Sequence, residues 1–167
     1  MTSQPIKYTL LLLLTLSTAF AQEKSKDTKD KEAWDKLNKP TPHIIDPEDI
    51  FTPDQERFLE DAITDYQKHK GVEFIIISES NADKFKALNL KEQRKWESEK
   101  AEDNAVLLAI SKDLHRMRIQ NGNKIKEKVS DAETRLIIDA FCVPKFKNND
   151  YYQGALDGMT EIINKMK

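Results

Sequence analysis

The sequence has few of the residues that would build a disulfide scaffold, a collagen-like chain or a nucleic-acid binder. Cys142 is the only cysteine among 167 residues, so the chain cannot form an intramolecular disulfide. Its four glycines exclude a collagen-like repeat. The 27 Lys and Arg residues are outnumbered by 29 Asp and Glu residues, which leaves no cationic surplus for a phosphate backbone. We therefore expect a globular protein with an ordinary hydrophobic core and no nucleic-acid partner.

The amino-terminal residues have the pattern of a secretory signal peptide. A basic residue precedes a short apolar run at 8–18, and Ala19 and Ala21 place small residues where a signal peptidase cleaves. The run is shorter than the roughly 20 apolar residues that a membrane-spanning helix needs. We predict a signal peptide over residues 1–21, cleavage before Gln22, and a secreted or periplasmic product. An uncleaved amino-terminal anchor is the alternative.

The rest of the chain divides into a charged segment and one domain. Residues 22–42 are rich in Lys, Asp and Glu, and Trp34 and Leu37 are their only large apolar side chains. Such a segment buries too little apolar surface to offset the entropy lost on ordering it. We therefore predict a flexible linker there and one folded domain over residues 43–167. No later segment of the sequence is apolar over a length that would span a membrane.

Three segments of the domain have the patterns of β-strands. Residues 72–78 (VEFIIIS) and 105–110 (AVLLAI) are nearly continuous apolar runs, typical of strands that are covered on both faces. In residues 116–120, Met117 and Ile119 alternate with polar residues. This alternation predicts a strand with one solvated face, paired as a hairpin with the strand before it.

Helix signals surround these strands. Three helices are predicted to begin at a capping residue with a Glu or Gln three positions later, at Thr52 and Gln55, Ser130 and Glu133, and Asp150 and Gln153. Pro144 is expected to end the second of these helices. Apolar residues at helical spacing, among them Phe58, Leu136 and Phe141, are expected to face the core.

A weaker, highly charged helix is predicted over residues 83–100, with Phe85, Leu88 and Trp96 facing inward. The order of strands and helices predicts an α/β fold, a three-layer α/β/α sandwich around a short mixed sheet.

The sequence contains no familiar catalytic or metal-binding motif. A phosphate-binding glycine loop, HExxH, GxSxG and paired CxxC are all missing. The three histidines have no spacing that would gather them on one metal, and we expect them at the surface. Cys142 lies in an apolar helix, where a buried thiol is expected. A cysteine phosphatase would also need an Arg six positions later, where this chain has Asn148.

Acidic residues occur next to the predicted strand and helix ends. Glu102 and Asp103 precede the second central strand, Asp131 opens the helix after the turn at residues 121–123, and Asp46 follows the first apolar residues of the domain. In a layered sheet such positions can converge into a crevice, and clustered carboxylates favour a hard divalent cation, Ca²⁺ or Mg²⁺. In the other interpretation, Asp103 and Asp131 are simply a turn residue and a helix-start residue.

Four blocks of the sequence occur together in an order that is typical of one family. The blocks are HIID at 43–46, GVEFIII at 71–77, EDNAVLL at 102–108, and RMRIQNG at 116–122 followed by VSDA at 129–132 and PKFKNNDYY with a later glycine at 144–154. In this order they resemble the TPM domain, named for thylakoid lumenal phosphatase-like proteins, a photosystem II repair protein and an acetylcholine-receptor modulator.

The resemblance implies an α/β/α sandwich and, as in some members, a divalent-ion site in acidic loops together with an acid-phosphatase activity. Carried over by position, that site would use Asp103 and Asp131 as metal ligands, with Asp46 and Glu102 nearby. Ala105 and Lys124 stand where the family usually has glycine.

Two functions remain open from the sequence. We favour a divalent-cation-binding module of the cell envelope that acts in protein assembly, repair or interaction, and we expect it to be a monomer. The alternative is metal-assisted hydrolysis of phosphomonoesters, in which a cation held by Asp103 and Asp131 polarises the phosphoryl oxygen. Binding is favoured because the two family glycines are replaced and no nucleophile is evident, so no catalytic residue is assigned.

Overall fold

In the computed structural model, which describes residues 42–93 and 99–167, a four-stranded mixed sheet organises the domain. Strands β1 (Ile44–Ile45), β2 (Glu73–Ser78) and β3 (Ala105–Ser111) are parallel neighbours in that order. Strand β4 (Arg116–Asn121) pairs antiparallel with β3, as the hairpin pattern predicted. The described residues do not include the predicted signal peptide, nearly all of the predicted linker, or Trp96.

The two central strands are buried on both faces, as their apolar runs predicted. All six residues of β2 and all seven of β3 are buried. Alternate side chains enter two different clusters. The larger cluster receives Phe74, Ile76, Val106, Leu108 and Ile110, and the smaller receives Ile75, Ile77, Ala105 and Leu107.

Helices supply the other side of each cluster. Their bounds are α1 Pro53–Lys70, α2 Ala82–Ala87, α3 Leu90–Gln93, α4 Glu99–Asp103, α5 Asn123–Lys126, α6 Asp131–Ile137, α7 Val143–Phe146 and α8 Tyr151–Met166. Leu59 and Ile63 of α1 and Ile162 of α8 enter the larger cluster, whereas Leu88 and Leu90 pack on the smaller one. Helices therefore cover both faces of the sheet, which confirms the α/β sandwich. No helix of the described ranges is long and apolar enough to cross a bilayer.

The three predicted helix caps are present. The Thr52 and Ser130 side chains each accept a hydrogen bond from the backbone N–H three residues later. In return, the side chains of Gln55 and Glu133 accept hydrogen bonds from the backbone N–H groups of Thr52 and Ser130. The Asp150 side chain caps α8 in the same direction. These starts were predictable because a cap is made within one turn of chain.

The continuous charged helix predicted over residues 83–100 is wrong, because α2 ends at Ala87 and α3 begins at Leu90. Asn81 caps α2, and Leu88, with a ψ of 123°, leaves helical geometry and ends it. Phe85 is buried and Leu88 is half-buried, as predicted.

Pro144 does not end the helix that begins at Ser130. Instead α6 continues into a π-helical turn at Ile138–Cys142, and α7 follows without a break. Pro144 lies in the first turn of α7, directly after the π-helical turn.

Three apolar side chains predicted to face the core are exposed instead. Phe58 is 54%, Leu136 66% and Phe141 40% exposed. Beside the last two, Thr134 and Cys142 take the inward positions. A π-helical turn adds one residue to the helical repeat, so it shifts which side chains face inward.

Gly122 lies where the chain passes from β4 to α5. The φ of Gly122 is −64°, a value that any residue can adopt. The glycine is required by space: a Cβ there would lie 2.5 Å from the carbonyl oxygen of Asp103 and closer still to that of Glu102. The absence of a side chain therefore lets the β4–α5 turn pack against the end of α4.

We predict that Gly122→Ala destabilises the domain by about 1–3 kcal/mol, because the added methyl meets rigid backbone carbonyls rather than a movable side chain. Urea unfolding measures the loss, and the amide shifts of residues 102–104 should change with it. Gly71→Ala is the comparison: its φ of 67° strains an alanine, but nothing lies within 4 Å of the new methyl, so residues 102–104 should not respond. An unchanged unfolding midpoint for Gly122→Ala would contradict this packing.

Glu133 links the start of α6 to α8. Its carboxylate accepts hydrogen bonds from the Lys165 ammonium and from the Ser130 backbone, both at 3.0 Å. These bonds, with that from Lys165 the largest cause, lower the pKa of Glu133 from 4.5 to about 2. Because the folded-state pKa is depressed, the stabilisation is complete above pH 4.5 and is lost as the pH falls toward 2.

We therefore predict that Glu133→Gln lowers the Tm at pH 7, and that its Tm converges with that of the wild type as the pH falls from 4.5 toward 2. Thermal unfolding across this pH range measures the effect. Glu127→Gln is the control, since Glu127 is exposed and its side chain accepts no hydrogen bond within the described residues. A Tm difference that persists unchanged to pH 2 would show that the charge of Glu133 is not its source.

Candidate functional site

Asp103 ends α4 and lies beside the β4–α5 turn. Its Oδ1 accepts a hydrogen bond from the Asn123 side-chain amide at 2.8 Å. Glu102 and Asp103 are both half-buried, and Gly122 packs against their carbonyl groups. The start of β3 and the end of β4 therefore come together here, because the two strands run antiparallel.

Asp131 is the first residue of α6 and is exposed. The helix start is held on the end of β4 by Asn121, whose amide donates to the Val129 carbonyl at 3.2 Å and to the Thr134 hydroxyl at 2.8 Å. Asp131 thus lies on the same side of the sheet end as Asp103, but no hydrogen bond connects the two in the part of the chain that the structure describes.

Asp46 lies at the other end of the sheet. Its carboxylate accepts hydrogen bonds from the Phe51 backbone N–H at 2.9 Å and from the Ser78 hydroxyl. Ser78 ends β2, whereas Asp103 precedes β3, and these two strands are parallel. Six residues of strand at about 3.3 Å each separate the two ends by roughly 20 Å. The carboxylate of Asp46 shapes the loop after β1 and is remote from Glu102 and Asp103.

The residues around Asp103 offer a divalent cation few protein ligands. Within residues 42–93 and 99–167, no three His, Cys, Asp or Glu side chains converge on one point. Ca²⁺ takes six to eight oxygen ligands and Mg²⁺ takes six, so water would have to supply most of the coordination shell at Asp103.

Cys142 is buried, as predicted, beneath α8. A Cβ on Gly158 would lie 2.6 Å from its Sγ, which shows how closely the π-helical turn and α8 pack. Burial, with a smaller effect of the Asp157 charge, raises the pKa of Cys142 to about 12. The thiol is therefore protonated and is a packing group.

His43 is buried, not at the surface as the sequence suggested. Its Nδ1 lies 2.6 Å from Glu60 Oε1, and its Nε2 lies 3.2 Å from Gln67 Oε1. Glu60 also accepts hydrogen bonds from the backbone N–H groups of His43 and Ile44. This network joins β1 to α1 and explains the burial of a polar residue at the start of the domain. His69 and His115 are exposed, as expected.

A groove runs along β4. Two cavities of about 640 and 740 Å³ share Met117, Arg118 and Ile138 in their walls, so they are continuous along the strand. One wall of this β4 groove is α2 with the residues that follow it. The other wall is α6, the π-helical turn and α7, which contribute Ile138 and Phe146.

Arg118 ties the first wall to the strand. Its guanidinium donates a hydrogen bond to the Leu88 carbonyl and lies 6.0 Å from the centre of the Phe85 ring. The Nε of Arg118 is buried with no hydrogen-bond partner among the described residues.

The β4 groove is basic although the whole chain is slightly acidic. Its Lys and Arg residues are Lys86, Arg116, Arg118, Lys126, Arg135 and Lys147, whereas its acidic residues are Asp131 and Asp139. None of the six cations forms an ion pair with a carboxylate in the described part of the chain. This basic surface is not evident from the sequence, because its Lys and Arg residues come from four separate segments and the net charge of the whole chain is −2.

Comparisons with known proteins agree on the fold. Among solved structures, the chain is similar to the solution NMR structure of the N-terminal domain of a protein from P. gingivalis, with a TM-score of 0.65 and 19% identity over 79% of this chain and 86% of that one. It is also similar to the N-terminal domain of the cg2496 protein from Corynebacterium glutamicum, with a TM-score of 0.51 and 13% identity over 73% and 78% of the two chains. None of the curated proteins matches.

At these identities the two structures support the fold alone. The family is established by the sequence itself, since the model of the TPM domain matches residues 44–165, which include every strand and nearly all of α8. The four sequence blocks that resemble this family lie within or at the edge of the match. The chain therefore belongs to the TPM domain family.

Proposed function

We propose that this protein is a binding module of the cell envelope that engages another protein through the β4 groove. The groove itself is the observation that supports this function most directly. The envelope location rests on the signal-peptide pattern of residues 1–21.

The β4 groove has the composition of a protein-binding surface. Phe85, Val143 and Phe146 give it apolar walls, and Arg116 and Lys147 lie exposed at one end. Arg and aromatic side chains are enriched at protein interfaces, where apolar contact provides affinity and charge selects the partner. Within the described residues these cations have no carboxylate partner, so a ligand can use them at little cost.

The geometry supports phosphomonoester hydrolysis less well. Metal-assisted hydrolysis needs cationic groups close to the metal-bound water, to stabilise charge on the phosphoryl oxygens. Arg116 pairs with Ser111 at the far end of β3, whereas Asp103 precedes the near end. At about 3.3 Å per residue, the length of β4 separates Arg116 from the Asp103 end by roughly 17 Å.

A divalent cation has a different role in this proposal. Ca²⁺ or Mg²⁺ binds at Asp103 with mostly water ligands and orders the junction of α4 with the β4–α5 turn. A site with so few protein ligands is weak, in the range of about 0.1–1 mM that is found in extracellular Ca²⁺ modules.

We predict that CaCl₂ at millimolar concentration shifts the backbone amides of residues 102–105 and 121–123 in NMR spectra, and that Asp103→Asn removes these shifts. Asp113→Asn is the matched control, since Asp113 is an exposed aspartate in the β3–β4 turn. Hydrolysis of p-nitrophenyl phosphate, measured on the same samples, should not depend on Asp103. Ca²⁺-dependent turnover that Asp103→Asn abolishes would contradict the binding function and favour the phosphatase.

We predict that a photo-crosslinking amino acid in the β4 groove captures an envelope protein in cells that export this chain. Lys147 and Arg116 are suitable positions because both are exposed in the groove, and Lys68, exposed on α1, is the control. A defined adduct should form from the two groove positions and not from Lys68. Adducts from Lys68 alone, or equally from all three positions, would show that the groove is not the binding surface.

A further inference from the structure

The β4 groove lies where a fifth strand of the sheet would be. β4 is the outermost strand, and β3 is the only strand that pairs with it in the described part of the chain. The two cavities follow β4 along its length, so the space beside the strand is open. An unpaired strand edge is a template for backbone hydrogen bonding with another extended chain.

The register identifies the backbone groups that are available. The Gly122 N–H donates to the Ala105 carbonyl, and bonded and non-bonded pairs alternate along an antiparallel ladder. Gln120 and Arg118 therefore bond to β3 through Leu107 and Ala109. Of the residues between them, Met117 and Ile119 direct their N–H and C=O groups away from β3 and toward the groove, whereas Asn121 at the end of the strand is buried.

The charge of the β4 groove indicates which kind of polypeptide segment it can bind. Six Lys and Arg side chains face two Asp side chains, and the strand between the walls contributes Arg116 and Arg118. On an added strand, alternate side chains would point toward each wall. On a strand of alternating acidic and apolar residues, the acidic side chains would therefore meet the cations of one wall, such as Lys147, and the apolar side chains would meet apolar residues of the other, such as Phe85.

Other occupants fit this charge less well. A second copy of the chain, paired edge to edge through β4, would bring two basic grooves together and repel. Residues 22–41 carry six Lys and five acidic residues, so that segment is not anionic either.

We propose that the β4 groove binds an extended acidic polypeptide segment, which pairs with β4 as a fifth strand through the backbone of Met117 and Ile119. This inference rests on the proposed binding function and specifies its partner as a chain with alternating acidic and apolar residues. Backbone pairing supplies affinity, and the six cations supply selectivity.

The test uses the peptide EVEIDVE with the full chain and measures both affinity and hydrogen exchange. Binding is followed by fluorescence anisotropy of the labelled peptide. On binding, the amides of Met117 and Ile119 should gain protection from exchange, while those of Arg118 and Gln120, already bonded to β3, should not change. No other mode of docking in the groove predicts this alternation.

Two control peptides separate the contributions. KVKIKVK keeps the apolar residues and the strand propensity but reverses the charge, so it should not bind. EVEIDVE with every internal amide N-methylated keeps the side chains but loses its backbone donors, so it should also fail to bind. Equal binding of either control would overturn the proposal.

Two sets of variants localise the site. Arg116→Glu combined with Lys147→Glu should weaken binding at least about tenfold, because both residues are exposed groove cations. Lys68→Glu makes one of the same charge changes on α1 and should leave binding unchanged. The alternating protection in the wild type does not depend on how well these variants fold.

The remaining outcomes are also decisive. If EVEIDVE does not bind but the photo-crosslinker at Lys147 still captures an envelope protein, the binding function stands and strand addition falls. If neither occurs, both proposals fall together. Alternating protection without peptide, accompanied by a dimer in sedimentation, would make a second copy the occupant and overturn the acidic partner.

Discussion

The complete burial of β3 is the constraint on which the rest of the domain depends. A strand with no exposed side chain needs a neighbouring strand on each side and a helical layer above and below. β2 is the neighbouring strand on one side. It is itself fully buried, and β1 pairs with its other edge. β4 satisfies the other side, but it is only half-buried, and one of its faces is polar. The sheet therefore ends at β4, and the open edge is a consequence of how the centre is covered.

The same constraint explains where the functional surface lies. On the β1 side, the parallel strands are tied to α1 by the hydrogen-bond network of His43 and Glu60. On the β4 side, the helices stand away from the strand and form two walls. Arg118 fixes one wall by bonding to the Leu88 carbonyl, and the π-helical turn places Ile138 in the other. Among the described residues, the cations of this groove have no carboxylate partner, so they remain available to a ligand.

Local signals in the sequence predicted the strands and the helix starts, because these depend on residues within one turn of each other. The capping pairs at Thr52 and Ser130 are examples. Features that depend on tertiary packing were not predictable in the same way. Pro144 was expected to end a helix, but the close fit of Cys142 against Gly158 accompanies a π-helical turn that carries the helix on. The exposure of Phe141 follows from the same turn, whereas Leu136 lies before it, on the outer face of α6.

The acidic residues illustrate the same limit for the candidate site. The sequence placed Asp103 before β3 and a turn after β4, and the hairpin of these two strands brings the two positions together. It could not separate Asp46 from them, since that distance depends on the parallel direction of β1, β2 and β3. The basic groove was hidden for a different reason: its cations are spread over about 60 residues of chain between Lys86 and Lys147.

The π-helical turn at Ile138–Cys142 has a consequence for how this surface can vary among related chains. Such a turn holds one residue more than the α-helix around it, so deleting a single residue there would restore a regular helix without removing either of its ends. The side chains of α6 and α7 would keep their faces, because a π-helical turn takes up its extra residue within a single turn. Only the turn itself would change, so the wall of the groove would differ at Ile138 and Asp139 while both flanking helices stay in place. A one-residue length change at this turn is thus a way to alter one wall of the groove locally.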